Sequence, residues 1–157
     1  MSHGFAPRVL DEVRAVAFRF PRKEAALLPV LRVLQRVSGA LGPAEEEMAA
    51  ELLGLEPVRV REVVTFYSLF RQEPAGRHII QVCINLSCSM AGAGSSLTGL
   101  LTRLGIKPGE TTSDGRFTLL TVECLGNCDQ APCLMVDTDD HGRLQEEHLD
   151  EILGRYP

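Results

Sequence analysis

Four of the five cysteines fall into two close pairs, and their spacing indicates a metal centre. Cys83 and Cys88 form the first pair and Cys124 and Cys128 form the second, so that the motif reads C-x4-C-x35-C-x3-C. Thiolate sulfur is the ligand that zinc and iron–sulfur clusters take most readily. Two pairs from separate loops can surround one centre if the fold brings the loops together.

The width of the first pair bears on which centre this is. Most zinc ribbons place about two residues between paired cysteines, and a gap of about four is the upper limit of zinc-site spacing. A gap of four also occurs in ferredoxins that hold a two-iron, two-sulfur (2Fe-2S) cluster through four cysteines. Spacing alone therefore favours a cluster but leaves a zinc site, a disulfide or a redox dithiol open.

Each cysteine pair follows a short apolar segment that is typical of a β-strand. The two segments are residues 78–82 and 117–122, and both are rich in β-branched or large apolar side chains. We therefore expect the pairs where a strand ends and a loop begins, which is where a rigid sheet presents functional residues. Gly126 lies inside the second pair, and glycine allows a backbone N–H to approach a sulfur closely.

The cysteine motifs and their neighbours resemble the thioredoxin-like 2Fe-2S ferredoxins. The resemblance is carried by residues 83–88 (CINLSC), 122–128 (VECLGNC) and 131–132 (AP). It continues upstream through 63–70 (VVTFYSLF) and covers roughly residues 23 to 153. This family includes small NADH-module subunits of respiratory complex I, with relatives in NAD-linked hydrogenases and formate dehydrogenases.

The resemblance implies an electron-transfer subunit. One 2Fe-2S cluster would be held by Cys83, Cys88, Cys124 and Cys128, in the peripheral arm of an NADH:quinone oxidoreductase (complex I). Electrons would be exchanged with the flavin of a partner subunit, and FMN and NADH are expected on that partner and not on this chain. We therefore expect no turnover by this chain alone. The alternatives are the equivalent diaphorase subunit of a hydrogenase or formate dehydrogenase, and a structural zinc domain.

The fifth cysteine, Cys133, has no partner in the motif and is predicted to be a small buried core residue. It could also replace Cys128 as a ligand if that residue were lost. His78, His141 and His148 lie outside both cysteine loops, so a histidine-ligated cluster is not expected. The sequence contains no Walker loop, GxGxxG motif or Ser-His-Asp set, which indicates that nucleotide and flavin bind elsewhere.

Helical periodicity in the first half predicts a bundle over residues 1–74. The predicted helices are at 7–20, at 24–37, from Pro43 and from Pro57. A local bend is expected at Pro29, and the glutamates at 45–47 are explained by the positive end of a helix dipole. The last helix is predicted to bury one apolar face, made of Val60, Val63, Val64, Tyr67 and Phe70. Core packing is the favoured interpretation of residues 65–67, and a docking face for a partner is the alternative.

The second half, residues 75–157, predicts a thioredoxin-like α/β domain, so the overall fold class is α+β/α/β, with an N-terminal helical bundle followed by that domain. The linker is at residues 73–76. The predicted elements are strands at 78–82, 117–122 and 134–136, helices at 93–104 and 146–154, and a hairpin turn at 139–142 leading into a fourth strand at 143–145.

Charge and composition exclude several classes of function. The 157 residues carry a net charge of −5, which divides into +1 over residues 1–77 and −6 over residues 78–157. An acidic half that bears the motif does not suit nucleic acid, and no apolar run is long enough for a membrane span. Residues 1–5 do not show a basic region followed by a long apolar core, so a secretion signal is not expected. We expect a cytoplasmic protein with reduced thiols that reaches the inner membrane only through its complex.

Overall fold

The computed structural model describes residues 5–157, and the chain divides into two compact units, Met1–Pro74 and Ala75–Pro157. Residues 1–4, which the prediction about a secretion signal includes, lie outside the described residues. Within the described residues, no helix is both long enough and apolar enough to cross a membrane. Each unit contains a hydrophobic core made of its own side chains.

The described part of the first unit, residues 5–74, contains four α-helices. They are α1 (Pro7–Phe18), α2 (Leu27–Ser38), α3 (Pro43–Leu53) and α4 (Pro57–Phe66). Three of them begin at a proline, which fits the first helical position because its missing N–H would have no partner there. Helices α2 and α3 are followed by Gly39 and Gly54, which both adopt the left-handed conformation that stops a helix. The core of this unit includes Val13, Val30, Leu31, Leu34, Leu41, Leu53 and Val60.

The second helix begins later than predicted. A 3₁₀ turn covers Lys23–Ala26, and the α-helix starts only at Leu27. This start places Pro29 in the first turn of α2, where backbone N–H groups have no partner within the helix. The proline is therefore accommodated by its position near the helix start, and the change of helix type lies before it. Helix α1 ends at Phe18, short of the predicted residue 20.

The prediction that Tyr67 points inward with the rest of α4 is wrong. Val60 and Val64 are buried as predicted, but Phe66 is 79% exposed and Tyr67 is 41% exposed. The helix ends at Phe66, and Tyr67 has extended backbone angles. Helical spacing therefore no longer carries Tyr67 onto the buried face, although Phe70 does return to the core. Core packing does not explain the Phe66 side chain.

Two of the three glutamates at the start of α3, Glu45 and Glu46, have different roles. The Glu45 carboxylate accepts a hydrogen bond from the Gly42 N–H at 2.9 Å, which caps the helix. Glu46 is buried and forms an ion pair with Arg61, with 2.7 Å between the carboxylate oxygen and the guanidinium nitrogen. The helix dipole therefore explains only part of this acidic run, because Glu46 also joins α3 to α4.

The second unit contains a mixed four-stranded sheet and three α-helices. The strands are β1 (His78–Cys83), β2 (Phe117–Val122), β3 (Leu134–Val136) and β4 (Asp139–His141), and the helices are α5 (Leu86–Met90), α6 (Ala93–Leu104) and α7 (Leu149–Gly154). The strand order is β2-β1-β3-β4. Strand β1 pairs in parallel with β2 and antiparallel with β3, and β3 pairs antiparallel with β4.

The core of the second unit lies between the sheet and its helices. It is lined by Ile80, Val82, Leu100, Phe117, Leu119, Leu134 and Leu149. Gly99 of α6 allows a close approach, since a Cβ atom there would lie 2.8 Å from Leu149 Cδ1. A side chain at this position would force Leu149 to move, so glycine favours the close packing of α6 on α7.

Both outer edges of the sheet have distinctive features. Along β2, the Leu119 N–H donates to the Glu110 carbonyl at 3.1 Å, and the Thr112 N–H donates to the Phe117 carbonyl at 2.8 Å. The preceding loop therefore pairs with the free side of β2. The opposite edge is β4, which is only three residues long and includes Asp139 and Asp140.

The predicted hairpin turn and fourth strand are wrong in position. Residues 139–141 form β4 instead of a turn, and residues 143–145 are not a strand. The turn begins two residues earlier than predicted, at Asp137, whose φ is 54°. Its carboxylate accepts a hydrogen bond from the Ile79 N–H at 2.9 Å and lies 2.7 Å from the His78 Nδ1 atom. Aspartate tolerates this left-handed conformation, and these contacts with β1 fix the turn there.

We predict that residues 75–157 fold as an isolated fragment, because the core and the sheet of this unit are made from residues inside that range. The fragment should show a helix and strand content close to that of this unit and a single cooperative thermal transition by circular dichroism. A fragment that is unstructured or unfolds without a cooperative transition would show that the helical half completes the fold. The full-length chain serves as the control.

Candidate metal centre

The parallel pairing of β1 and β2 brings the two cysteine loops together at the C-terminal ends of these strands. Cys83 is the last residue of β1, and Cys124 follows β2 by two residues. The Ile84 N–H donates to the Val122 carbonyl at 3.0 Å. The Cys83 sulfur lies 3.9 Å from the carbonyl oxygen of Glu123. Both pairs therefore lie at strand ends, as predicted, and the two loops are in contact.

Three of the five sulfurs form a buried group. The sulfurs of Cys83, Cys88 and Cys133 all lie within 4.8 Å of one another, and each residue is 1% exposed. The sulfurs of Cys88 and Cys133 are in contact, 3.7 Å apart. Cys124 and Cys128 are exposed and lie outside this group of three.

The structure thus groups the first predicted pair with the fifth cysteine. The prediction that Cys133 is buried is confirmed, but its contact with the thiols was not foreseen. It arises because Cys133 immediately precedes β3, which pairs with β1 beside the first cysteine loop. The Cys83 N–H donates to the Cys133 carbonyl at 3.2 Å. A sequence signal existed in the apolar segment after Ala131-Pro132, but only the strand order converts it into proximity.

The environment of Cys83 favours a thiolate. Burial is the largest single influence and opposes ionisation, but it is outweighed by hydrogen bonds from the backbone of Asn85 and Leu125 and from the thiols of Cys88 and Cys133. Together these lower the pKa of Cys83 below that of an ordinary thiol. Because Asn85 belongs to the first loop and Leu125 to the second, both loops stabilise the same sulfur.

The other two buried thiols favour the protonated state when no metal is bound. Burial, followed by the neighbouring Cys83, raises the pKa of Cys88. Burial, followed by the hydrogen bond with Cys88, raises the pKa of Cys133 to about 12. A metal ion would displace these protons, because metal ligation requires the thiolate.

Backbone geometry also prepares the second loop. The Gly126 N–H donates to the Cys124 sulfur, with 3.3 Å between nitrogen and sulfur. Gly126 has φ of +76°, a conformation that a residue with a side chain adopts only with strain. The expected role of this glycine is confirmed. Cys128 opens a 3₁₀ turn over Cys128–Gln130, which directs the chain towards β3.

Two of the histidines, His78 and His141, contact other residues of the second unit. His78 contacts Asp137, and His141 Nε2 lies 2.7 Å from the Tyr156 hydroxyl oxygen. Within residues 5–157, the group of donors close enough to share an ion consists of thiols alone. The donor set is therefore soft and suits zinc, copper(I) or iron–sulfur chemistry.

Comparison with known families identifies this arrangement. The family model for the thioredoxin-like [2Fe-2S] ferredoxin matches residues 13–157. The chain belongs to this family. The match includes all five cysteines and most of the helical unit, and the resemblance predicted from the motifs is thereby confirmed.

Relatives are similar over nearly the whole chain. An NADH-quinone oxidoreductase subunit of Rhizobium meliloti is 49% identical over 147 residues, which cover 93% of this chain and 87% of the relative. An NADH-quinone oxidoreductase subunit of Escherichia coli is 41% identical over 132 residues, which cover 84% of this chain and 80% of the relative. The corresponding protein of Pseudomonas aeruginosa is 42% identical over the same shares of both chains.

A solved structure shares the fold. The crystal structure of an NAD+-reducing [NiFe]-hydrogenase in the air-oxidised state aligns with a TM-score of 0.71 and 24% identity. The alignment covers 83% of this chain but only 22% of the hydrogenase chain. At this identity the likeness shows the fold alone, and the combination of helical and thioredoxin-like α/β elements is the predicted fold class.

The family and the thiol-rich donor set both support an iron–sulfur cofactor. The fit is physical as well as statistical, since the Cys83 and Cys124 sulfurs already accept backbone hydrogen bonds. Backbone N–H groups directed at cysteine sulfurs stabilise negative charge on a cluster's ligands and influence its potential. The residues present at this end of the sheet are therefore suited to the cofactor that the family name describes.

We predict that Gly126→Ala weakens the site without blocking it sterically. A Cβ atom at this position meets nothing within 4 Å, so the cost is the left-handed backbone alone, about 1–2 kcal/mol. We therefore expect iron to be lost to a chelator roughly 5- to 30-fold faster than from the wild type. The decay of visible absorbance measures this rate.

Gly94→Ala is the matched control for this prediction. Gly94 lies in α6 without a positive φ and also has open space at its Cβ position. Alanine there should leave iron release unchanged and should stabilise the helix slightly. Equal rates of iron release from both variants and the wild type would contradict the role assigned to the Gly126 conformation.

Proposed function

We propose that this chain is the electron-transfer subunit of an NADH:quinone oxidoreductase (complex I) and carries one 2Fe-2S cluster. Electrons pass between this cluster and the flavin of a partner subunit that oxidises NADH. The observation that carries the proposal is the identity of 41–49% with NADH-quinone oxidoreductase subunits over 84–93% of this chain, together with two cysteine loops in contact. FMN and NADH belong to the partner.

Cys83, Cys88, Cys124 and Cys128 are the proposed ligands. The two loops that contain them meet at the end of β1 and β2, where the Cys83 sulfur contacts the backbone of Glu123. The first pair is buried and the second is exposed, so the centre would have one side in the protein and one side towards solvent. Such a position favours electron transfer, because a partner can approach the exposed side closely.

The protein's own contribution is to hold charge and limit solvent. When bound, a 2Fe-2S cluster supplies reversible one-electron transfer. The backbone of Asn85 and Leu125 bonds to Cys83, and the Gly126 N–H bonds to Cys124. Burial of Cys83 and Cys88 keeps water from the inner ligands. The charge of −6 over residues 78–157 opposes the addition of an electron and favours a low potential.

The diaphorase part of an NAD-linked hydrogenase is the second candidate. The specific observation in its favour is the shared fold with the NAD+-reducing hydrogenase at a TM-score of 0.71. The higher identity to the NADH-quinone oxidoreductase subunits favours complex I. In either assembly the chain would lie on the cytoplasmic side of the inner membrane or in the cytoplasm, attached through its partners.

The helical unit is proposed to contact the flavin-bearing partner. Phe66, Tyr67 and Leu69 follow one another closely at the end of α4 and are 79%, 41% and 67% exposed. The rings of Phe66 and Tyr67 pack edge to face with 5.1 Å between centroids. Exposed aromatic side chains of this kind are enriched in protein interfaces and often dominate their binding energy.

The cluster and its ligands are tested by chemical analysis. Protein purified without oxygen should contain about two irons and two acid-labile sulfides per chain. Cys124→Val should lose the cluster, because no other thiol occupies the position of Cys124 in the exposed loop. Cys133→Val should keep the visible and electron paramagnetic resonance spectra of the wild type. Measurement is by iron and sulfide assay together with these spectra.

Two outcomes would contradict the ligand assignment. Stoichiometric zinc without sulfide, in protein made with ample iron, would replace the electron-transfer function by a structural one. A cluster that survives Cys124→Val but is lost in Cys133→Val would exchange the roles of these two residues.

The partner contact is tested by co-purification with the flavin-bearing partner. We expect Phe66→Ala and Leu69→Ala each to weaken association by roughly 2 kcal/mol, about 30-fold, with the cluster spectrum unchanged. Phe18→Ala is the control, since Phe18 is a 92% exposed aromatic on α1. Wild-type affinity in both test variants, or an equal loss in the Phe18 control, would remove this segment from the interface.

A further inference from the structure

The buried group of Cys83, Cys88 and Cys133 is a different donor set from the proposed cluster ligands. It shares the first cysteine pair but replaces the exposed second pair with Cys133. All three sulfurs are shielded from solvent and lie within 4.8 Å of one another. Cys133 has no role in the proposed electron transfer, so its position against Cys88 requires a separate account.

The distances match a single metal ion. Zinc binds thiolate sulfur at about 2.3 Å, so two sulfurs on one ion are separated by roughly 3.8 Å in tetrahedral geometry and 4.0 Å in trigonal geometry. Cys88 and Cys133 are 3.7 Å apart, and the largest separation in the group does not exceed 4.8 Å. Closing the group around one ion therefore requires shifts of about 1 Å or less.

Two of the three sulfurs are held by regular structure, and the third lies immediately before a strand. Cys83 ends β1, and its N–H donates to the carbonyl of Cys133, which immediately precedes the neighbouring strand. Cys88 lies in α5, where the Ser89 N–H donates to the Asn85 carbonyl at 2.8 Å. Ligands on such elements are held more precisely than ligands on a loop, and less reorganisation is needed to bind an ion.

We propose that the cluster-free chain binds one thiophilic ion of the zinc and cadmium type through Cys83, Cys88 and Cys133. Three metal–sulfur bonds form as the thiol protons leave to solvent, and no electron is transferred. Three thiolates and a divalent ion carry a net charge of −1, and the fourth tetrahedral position takes a water molecule. Soft donors in a buried site select zinc, cadmium or copper(I) over magnesium or calcium.

Binding at this site excludes the cluster. Cys83 and Cys88 belong to both donor sets, so an ion held with Cys133 blocks the first cysteine pair. The inference rests on the proposed function only for this competition, because the three sulfurs and their separations do not depend on any cluster. Cys133 thereby makes the chain before cluster insertion a trap for zinc or cadmium.

The test uses the full-length chain with its cluster removed, titrated anaerobically with Cd²⁺. Sulfur-to-cadmium absorbance reports the number of thiolates bound, and competition with a chelator gives the affinity. Cys133→Val should reduce the absorbance by about a third, as two thiolates replace three. It should also weaken the binding of Cd²⁺ by at least roughly 10- to 100-fold. That is the loss of metal affinity when a residue hydrogen-bonded to a ligand is removed, and removal of a ligand itself should cost no less. Cys124→Val is the matched control and should leave both quantities unchanged.

Two further measurements keep the proposal open to refutation. Cys133→Ala repeats the test if valine disturbs folding, and circular dichroism checks each variant. Cadmium X-ray absorption of the wild-type chain should count three sulfurs. A count of four, or an equal loss of affinity in Cys124→Val, would assign the ion to the cluster ligands and overturn the proposal, as would wild-type binding by Cys133→Val.

Reconstitution of the same variants with iron and sulfide separates this proposal from the proposed function. The cluster should require Cys124 and tolerate Cys133→Val, which is the reverse of the cadmium pattern. Failure of the cluster pattern would overturn the ligand set of the proposed function and leave the cadmium result standing. Failure of the cadmium pattern would overturn the three-thiol site alone.

Discussion

The parallel pairing of β1 with β2 is the constraint on which the metal centre depends. Because the two strands run in the same direction, the residues that follow them leave the sheet at the same end. The register aligns Cys83 with Val122, so the second loop begins beside the sulfur of the first. A shift of one residue would move the Cys83 side chain to the other face of the sheet. Parallel strands also require a crossover, and α5 and α6 provide it.

At this end of the sheet, the thiols of Cys83, Cys88 and Cys133 lie in unequal environments. Burial alone would keep all the inner thiols protonated, but backbone groups from both loops reach the Cys83 sulfur and lower its pKa. Cys88 and Cys133 lack enough of this compensation, and their pKa values rise. Position relative to a few peptide dipoles, and not residue type, therefore decides which of these thiols most readily loses its proton.

Local sequence predicted the elements that local chemistry determines. Strand β2 and helix α6 have the predicted bounds, because apolar periodicity, a following Gly105 and sufficient length are all encoded within each segment. The turn at Asp137 was missed because its carboxylate is held by β1, a contact between residues far apart in the chain. The grouping of Cys133 with the first pair was missed for the same reason, since it follows from the order of strands in the sheet.

The outer strands, β2 and β4, differ in length and in pairing. These differences affect how the chain behaves before it is assembled with its partners. A free strand edge can recruit another copy through its unpaired backbone groups. Here the loop around Glu110 occupies the open side of β2. The other outer strand, β4, is three residues long and includes Asp139 and Asp140. The negative charges of these two side chains would repel a second copy placed alongside. The sheet therefore resists growing into an intermolecular ribbon while the chain waits for its partners.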